Sequence, residues 1–182
     1  MSTSAHSLIT WTAFQRLPQR PQTGKRYELH DGEVVIVPPP RPSHIKLQKR
    51  IESLLEERAG GRGVVTTEFP YRPVANRQFW FADVAYLPRA AWDAMPPDKY
   101  PVYAPSLIVE VLSPSNTPAK VNRQRTVAMS AGTEAFWVVN EEKRTVQVTT
   151  PGGAKVYAEC DAIPLPMFGG GTLDVERIFF GL

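Results

Sequence analysis

The sequence predicts a mixed α/β fold: a central mixed sheet flanked by helices, with a hairpin at the N-terminal end and further strands at the C-terminal end. Three observations predict it. Two helix-periodic segments, about residues 44–59 and 119–131, separate runs of strand-forming residues. Asp31-Gly32 and the polar stretch Asn140 to Arg144 join such runs directly, as in antiparallel hairpins. Leu107 to Leu112 is almost continuously apolar, as in a strand buried on both faces. Helices interleaved with strands, but with hairpins at both ends, argue against a purely parallel doubly wound sheet.

Taken in order, Ile9 to Leu17 reads as a short helix stopped by Pro18. Arg26 to His30 and Glu33 to Val37 form a hairpin around Asp31-Gly32, and Pro38 to Pro40 end it because none can donate to a sheet. Ser43 is placed to cap a helix over about His44 to Ala59. Leu47, Ile51, Leu54 and Leu55 share one face of that helix, and Gly60-Gly61 stop it. Lys46, Lys49, Arg50, Glu52, Glu56 and Glu57 read as its solvated face. Val64 to Tyr71, Phe79 to Leu87 and Leu107 to Leu112 are strands, and Ala119 to Ala131 is a helix ended by Gly132. Ala135 to Val139 and Thr145 to Thr150 pair across a turn, Lys155 to Ala158 adds a strand, and Leu173 to Phe179 reads as a small docking helix.

The 182 residues are expected to form a single domain, 1–182. One cysteine, Cys160, excludes an internal disulfide framework and suits a reducing compartment, so a cytoplasmic location is expected. No apolar run approaches the ~18 residues of a bilayer span, and Met1 to Ser7 lacks the pattern of a signal peptide. The formal net charge of +3 permits nucleic acid as a partner without demanding it.

Asp83 lies within Phe79 to Leu87, and Glu110 within Leu107 to Leu112. Each is a charge inside an otherwise apolar strand, and a buried carboxylate must be neutralised, paired or bound to a cation. Two of them on successive strands can share one hard divalent metal through oxygen ligands. The alternative is that each faces solvent or pairs with an arginine such as Arg125. His44, after the loop 38–43, can reach substrate or metal, or can simply stand on the surface near a helix end. Glu28 and Glu33 alternate with apolar neighbours, as ordinary hairpin surface residues do. Trp80, Phe136 and Trp137 read as core. Ser113 and Ser115 lack a Gly-x-Ser-x-Gly setting, no Cys/His cluster supports zinc, and Gly169 to Gly171 lacks the lysine of a phosphate loop.

The series Tyr27-Glu28-Leu29-x-Asp31-Gly32-Glu33, Pro38-Pro39-Pro40, His44, Asp83, Glu110-Val111-Leu112-Ser113-Pro114-Ser115 and Phe136-Trp137-Val138-Val139 resembles the Uma-two-like family. That is a bacterial group regarded as restriction endonucleases, within the PD-(D/E)XK nuclease superfamily. The resemblance runs from about Trp11 to Ile178, and Glu-Val-Leu-Ser-Pro-Ser and its spacing after Asp83 are its specific parts. It implies a restriction-endonuclease-like fold with a helix on each face of the sheet. It also implies Mg²⁺ (or Mn²⁺) bound by Asp83 and Glu110. Two departures stand out. Ala82 precedes Asp83 where the superfamily has proline, which leaves the ligand unchanged. Leu112 stands where the superfamily often has a lysine; this family commonly moves that lysine to the following helix, and the matching residue here is Gln124. Glutamine orients a water but carries no positive charge. Lys120, Arg123 or Arg125, on the same or a neighbouring helical face, is expected to substitute for the missing charge.

The resemblance thus implies a metal-dependent endonuclease that hydrolyses nucleic acid phosphodiesters, with DNA the expected substrate. Asp83 and Glu110 would hold the metal, Gln124 would position the attacking water, and Glu33 and His44 would be accessory. A homodimer would suit double-strand cleavage. Gln124 also supports an alternative, a nuclease-fold protein that binds nucleic acid or a protein partner without cleaving. A purely structural domain is a third reading, and it predicts no clustering of Asp83, Glu110 and basic residues.

Overall fold

The hairpin is the first element the sheet is built on. β1 (Arg26–His30) and β2 (Glu33–Val37) pair antiparallel, with His30 opposite Glu33. Asp31 and Gly32 turn the chain at φ 53° and 88°, the left-handed pair that matches the twist of the two strands. This computed structural model describes residues 8–17, 26–113 and 117–181. Pro18, Pro114, Ser115 and the segment 1–7 lie outside the described residues.

β1 also pairs antiparallel with the start of β4 (Gln78–Pro88). β3 (Gly63–Tyr71) runs antiparallel along nearly all of β4, on its other edge. Gly63 is required there, because a Cβ would stand 2.2 Å from the Leu87 carbonyl oxygen. β5 (Leu107–Val111) pairs antiparallel with the end of β4 and parallel with β6 (Ala135–Asn140). β7 (Thr145–Thr150) and β8 (Gly153–Tyr157) complete the order β2-β1-β4-β5-β6-β7-β8, with β3 added beside β4. The sheet is mixed, as expected, and every residue of β5 is buried.

One helix covers each face. On one side α2 (Pro42–Ala59) packs Leu47, Ile51, Leu54, Leu55 and Ala59 against Val84, Val109 and Trp137. Each buried leucine or isoleucine among them stabilises the fold by roughly 1.5–3 kcal/mol. On the other side α4 (Pro118–Ser130) packs Val121 and Ala128 against Ala82, Ile108 and Phe136. Thr117 caps α4 by accepting from Lys120 N at 3.2 Å. Short α1 (Trp11–Gln15) lays Phe14 against Leu29 and Phe79.

Three expectations need correction. Ser43 is not the cap of α2: the helix starts earlier, with Arg41 at the cap position and Pro42 in the first turn, where its fixed φ suits the helix and its missing N–H costs nothing. Leu173 is not helical. It lies in β10 (Thr172–Asp174), which pairs with β9 (Ala162–Pro164), and only Val175–Phe179 forms the helix α5. The short helix α3 (Arg89–Asp93) was not expected; five residues are too few to show a period. No described helix is long and apolar enough to cross a membrane.

Candidate active site

The site begins as a fork in the sheet. One edge of β4 is shared by two strands. Gln78 and Phe79 pair with β1, Val84 to Tyr86 pair with β5, and the residues between lie where β1 and β5 diverge. The chain also reverses its faces here. Trp80 and Ala82 belong to the core on the α4 side, whereas Val84 and Tyr86 belong to the core on the α2 side. Neighbouring β3 does the same, with Val65 on the α2 side and Phe69 and Tyr71 on the α4 side. Glu68 accomplishes that switch at φ 55°, a left-handed conformation that is unfavourable for a residue with a Cβ. Such strain persists only where surrounding structure holds it, and it gathers at functional sites.

Asp83 sits at the reversal. Its Oδ2 accepts from Val111 N of β5 at 2.7 Å, so the carboxylate takes a place where strand pairing would otherwise continue. Its Oδ1 accepts from Gln48 Nε2 at 2.9 Å and lies 3.1 Å from His44 Nε2, both on α2. Gln48 Nε2 also donates to Glu68 at 2.6 Å, and Arg26 forms an ion pair with Glu68. Asp83 is therefore fixed from two elements at once.

Glu110, one residue before Val111, is buried, and its Oε1 has no hydrogen-bond partner among the described residues. Burial pushes its carboxyl well above the usual range; the charges of Asp83 and Glu28 push the same way, and Lys120 and Arg26 only partly oppose them. Gln124 on α4 is buried too, with its Oε1 likewise unpartnered. The Tyr71 hydroxyl is a third such atom, and burial, followed by the charges of Glu110, Glu28 and Asp83, raises its pKa well above the ordinary value.

Glu28 is the carboxylate that sequence reasoning missed. It was read as hairpin surface, yet it is buried, with its Oε2 2.8 Å from His30 Nε2 and 3.7 Å from Lys120 Nζ. Burial alone would raise its pKa. The His30 hydrogen bond, Lys120 and Arg26 together reverse this and lower it.

A cleft of about 1120 Å³ gathers these groups: Glu28, His44, Asp83, Glu110, Lys120 and Gln124 all line it. Its rim carries Pro38 to Arg41 on one side and Asn140 to Glu142 with Arg144 on another. Glu33 is not brought to it. That side chain is exposed on β2, outside the lining. Of the three basic residues near Gln124, only Lys120 lines the cleft. Arg123 pairs with Asp31, and Arg125 donates to Asn122 at 3.0 Å. Arg125 thus is not the partner of either buried acid.

The donor set fits a hard divalent cation. Glu110 has an oxygen with no donor among the described residues, and Asp83 Oδ2 keeps a lone pair beyond the Val111 amide, whereas Oδ1 already meets Gln48 and His44. Among the described residues no group of three or more His, Cys, Asp or Glu side chains is close enough to form a complete centre. Magnesium tolerates that, because it commonly keeps several waters and takes substrate phosphate as a ligand.

The chain matches the Uma2 family, described as "Putative restriction endonuclease", over residues 11–178. Among solved structures it is similar to a putative nuclease belonging to DUF820 from Anabaena variabilis ATCC 29413. The TM-score is 0.79 at 19% identity, covering 94% of this chain and 97% of that one, which shows a shared fold. No curated protein matches.

Proposed function

The chain belongs to the Uma2 family of putative restriction endonucleases, and on that premise we propose that it is a metal-dependent endonuclease hydrolysing phosphodiester bonds, with DNA as substrate. The observation that carries this reading is the buried Glu110 oxygen, unpartnered among the described residues, beside a firmly fixed Asp83 in a large cleft. Asp83 and Glu110 would hold Mg²⁺ or Mn²⁺. The chemistry such a cation supplies is polarisation of the phosphodiester and acidification of the attacking water.

The protein's own residues have separable tasks. Gln48, His44 and the Val111 amide orient Asp83. Gln124 Oε1, unpartnered among the described residues, accepts a hydrogen bond from the attacking water and so aims an oxygen lone pair at phosphorus. Glu33, exposed and outside the cleft, takes no part in this scheme.

The test is single-turnover cleavage of plasmid and single-stranded substrates in Mg²⁺ or Mn²⁺. Wild type should cleave, Asp83→Ala and Glu110→Ala should not, and Gln124→Lys should cleave faster. Undiminished cleavage in both alanine variants would place the activity elsewhere. Gln124 also favours a second reading, a non-cleaving nucleic-acid binder. Binding without cleavage in both wild type and Gln124→Lys would establish it.

A further inference from the structure

Resting on the nuclease reading, we propose that Lys120 is the catalytic cation of this site, held in reserve by Glu28 and aimed past Gln124 at the scissile phosphate. Hydrolysis of a phosphodiester concentrates negative charge on the oxygens around phosphorus. A site that accelerates it places fixed positive charge there. Gln124 supplies none, so the charge must come from another side chain.

Four observations select Lys120. It stands one helical turn before Gln124, and residues four apart on a helix share a face. Both line the cleft together with Asp83 and Glu110. Its Nζ points inward, 3.7 Å from the buried Glu28 Oε2, although its side chain is 30% exposed and could instead extend into water. Of the other cations of the region, Arg26 pairs with Glu68 and lies 4.6 Å over the Phe81 ring, Arg123 pairs with Asp31, Arg144 pairs with Glu159, and Arg41 stands with Pro38 to Pro40 on the rim.

The placement also runs against helix energetics. Lys120 is the third residue of α4, where the partial positive charge of the helix N-terminus disfavours a cation, and no acidic residue shares that first turn. Glu28, from a different strand, compensates. A 3.7 Å contact is loose enough for the ammonium to leave Glu28 for a phosphate oxygen without a rearrangement of the backbone. Glu28, kept ionised by its His30 hydrogen bond, receives the ammonium again after product leaves. Glu28 is thus a positioning residue and Lys120 the catalytic one.

The experiment pairs Lys120→Met with the double variant Lys120→Met/Gln124→Lys. Two readouts are taken: single-turnover plasmid cleavage in Mn²⁺, and Mn²⁺ affinity by calorimetry without nucleic acid. Lys120→Met should lower cleavage by ~10²–10³-fold, the usual loss for one electrostatic stabiliser. It should also tighten Mn²⁺ several-fold, because a positive charge beside the carboxylates is gone. The double variant should recover at least tenfold in rate, since it restores the charge one turn further along the same face. Slower cleavage with weakened Mn²⁺ binding would make Lys120 a structural residue and overturn the proposal. So would unrecovered cleavage in the double variant, or undiminished cleavage in Lys120→Met beside an active wild type. Absence of cleavage by the wild type itself would instead overturn the nuclease reading, and this inference with it.

Discussion

Glu28 at the hairpin wall of the cleft and Glu110 at the sheet fork are withdrawn from solvent to the same degree, 3% and 5% exposed, and they feel each other's charge. Their surroundings differ in one respect. Glu28 meets His30, Lys120 and Arg26, all of them donors. Glu110 meets the carboxylate of Asp83 and keeps an oxygen with no donor among the described residues. Burial raises the energy of both charges, but only one wall supplies the compensation. The difference separates two uses of a buried acid. Glu28 is a charge whose partners are built in. Glu110 is a charge with an oxygen that no described residue partners, which is the condition the proposed metal ligand would satisfy.

Neutralising each acid by an isosteric change should therefore move stability in opposite directions. Glu28→Gln leaves Lys120 and His30 facing a neutral amide. Breaking a buried pair costs ~3–5 kcal/mol when both partners are buried. Lys120 is partly exposed, so a smaller loss, about 2–3 kcal/mol, is expected at neutral pH. Glu110→Gln removes an uncompensated charge and should stabilise the metal-free protein by about 1 kcal/mol, or ~2–4 °C in melting temperature for a chain of this size. Thermal melts of both variants in EDTA test the contrast. Two destabilised variants would mean that Glu110 has a partner of its own.

The pH dependence sharpens the same contrast. The Glu110 carboxyl is raised above its ordinary 4.5, so between that value and its folded value the native state holds a proton that the unfolded chain has lost. The stability it contributes is thus lost as pH rises through that window. Glu28 is lowered, so its contribution is present above 4.5 and is lost as pH falls through its folded value. Mn²⁺ held by Asp83 and Glu110, as proposed, would displace the Glu110 proton. The rise in melting temperature on adding Mn²⁺ should therefore grow as pH rises from about 5 to 8 in wild type. It should be small and flat with pH in Glu110→Gln. A metal-induced shift in that variant as large and as pH-dependent as in wild type would remove Glu110 from the ligand set.

Asp83 and Glu110 were legible because each breaks an apolar strand pattern, and a broken pattern marks a residue that folding alone does not explain. The sheet and both flanking helices were legible from period and turn chemistry. Glu28 was not. Within Arg26–His30 it alternates with apolar neighbours, as an outward-facing hairpin residue does, and only the docking of β1 on β4 and of Lys120 over it turns it inward. Gln48 was hidden for a similar reason. It adjoins Leu47 on the buried face of α2, but one polar residue at the margin of an apolar stripe has no signature until its partner Asp83 is in place. A signal for Lys120 did exist. It is four residues from Gln124, so the two share a helical face, whereas Arg123 and Arg125 are each turned by ~100° from Gln124.

The smallest effect is expected at Glu33, and it tests the hairpin side of the comparison from the opposite face. Glu33 and Glu28 belong to the same hairpin, two acids in one short motif. Register separates them. Glu28 stands opposite Val35 and is buried by β4 and α4, whereas Glu33 stands opposite His30, next to the turn, on the edge strand β2, and is exposed. An exposed side chain with no burial to compensate and no place in the cleft has little to lose. Glu33→Ala should change stability by no more than ~0.5 kcal/mol and should leave Mn²⁺ affinity and cleavage rate within about twofold of wild type. Glu28→Ala, measured beside it, should lose stability and alter Mn²⁺ affinity, because it frees Lys120. If Glu33→Ala instead lowered cleavage tenfold or more without changing stability, Glu33 would be reaching substrate across the rim of the cleft. The hairpin would then contribute to the site through its edge strand and not only through Glu28.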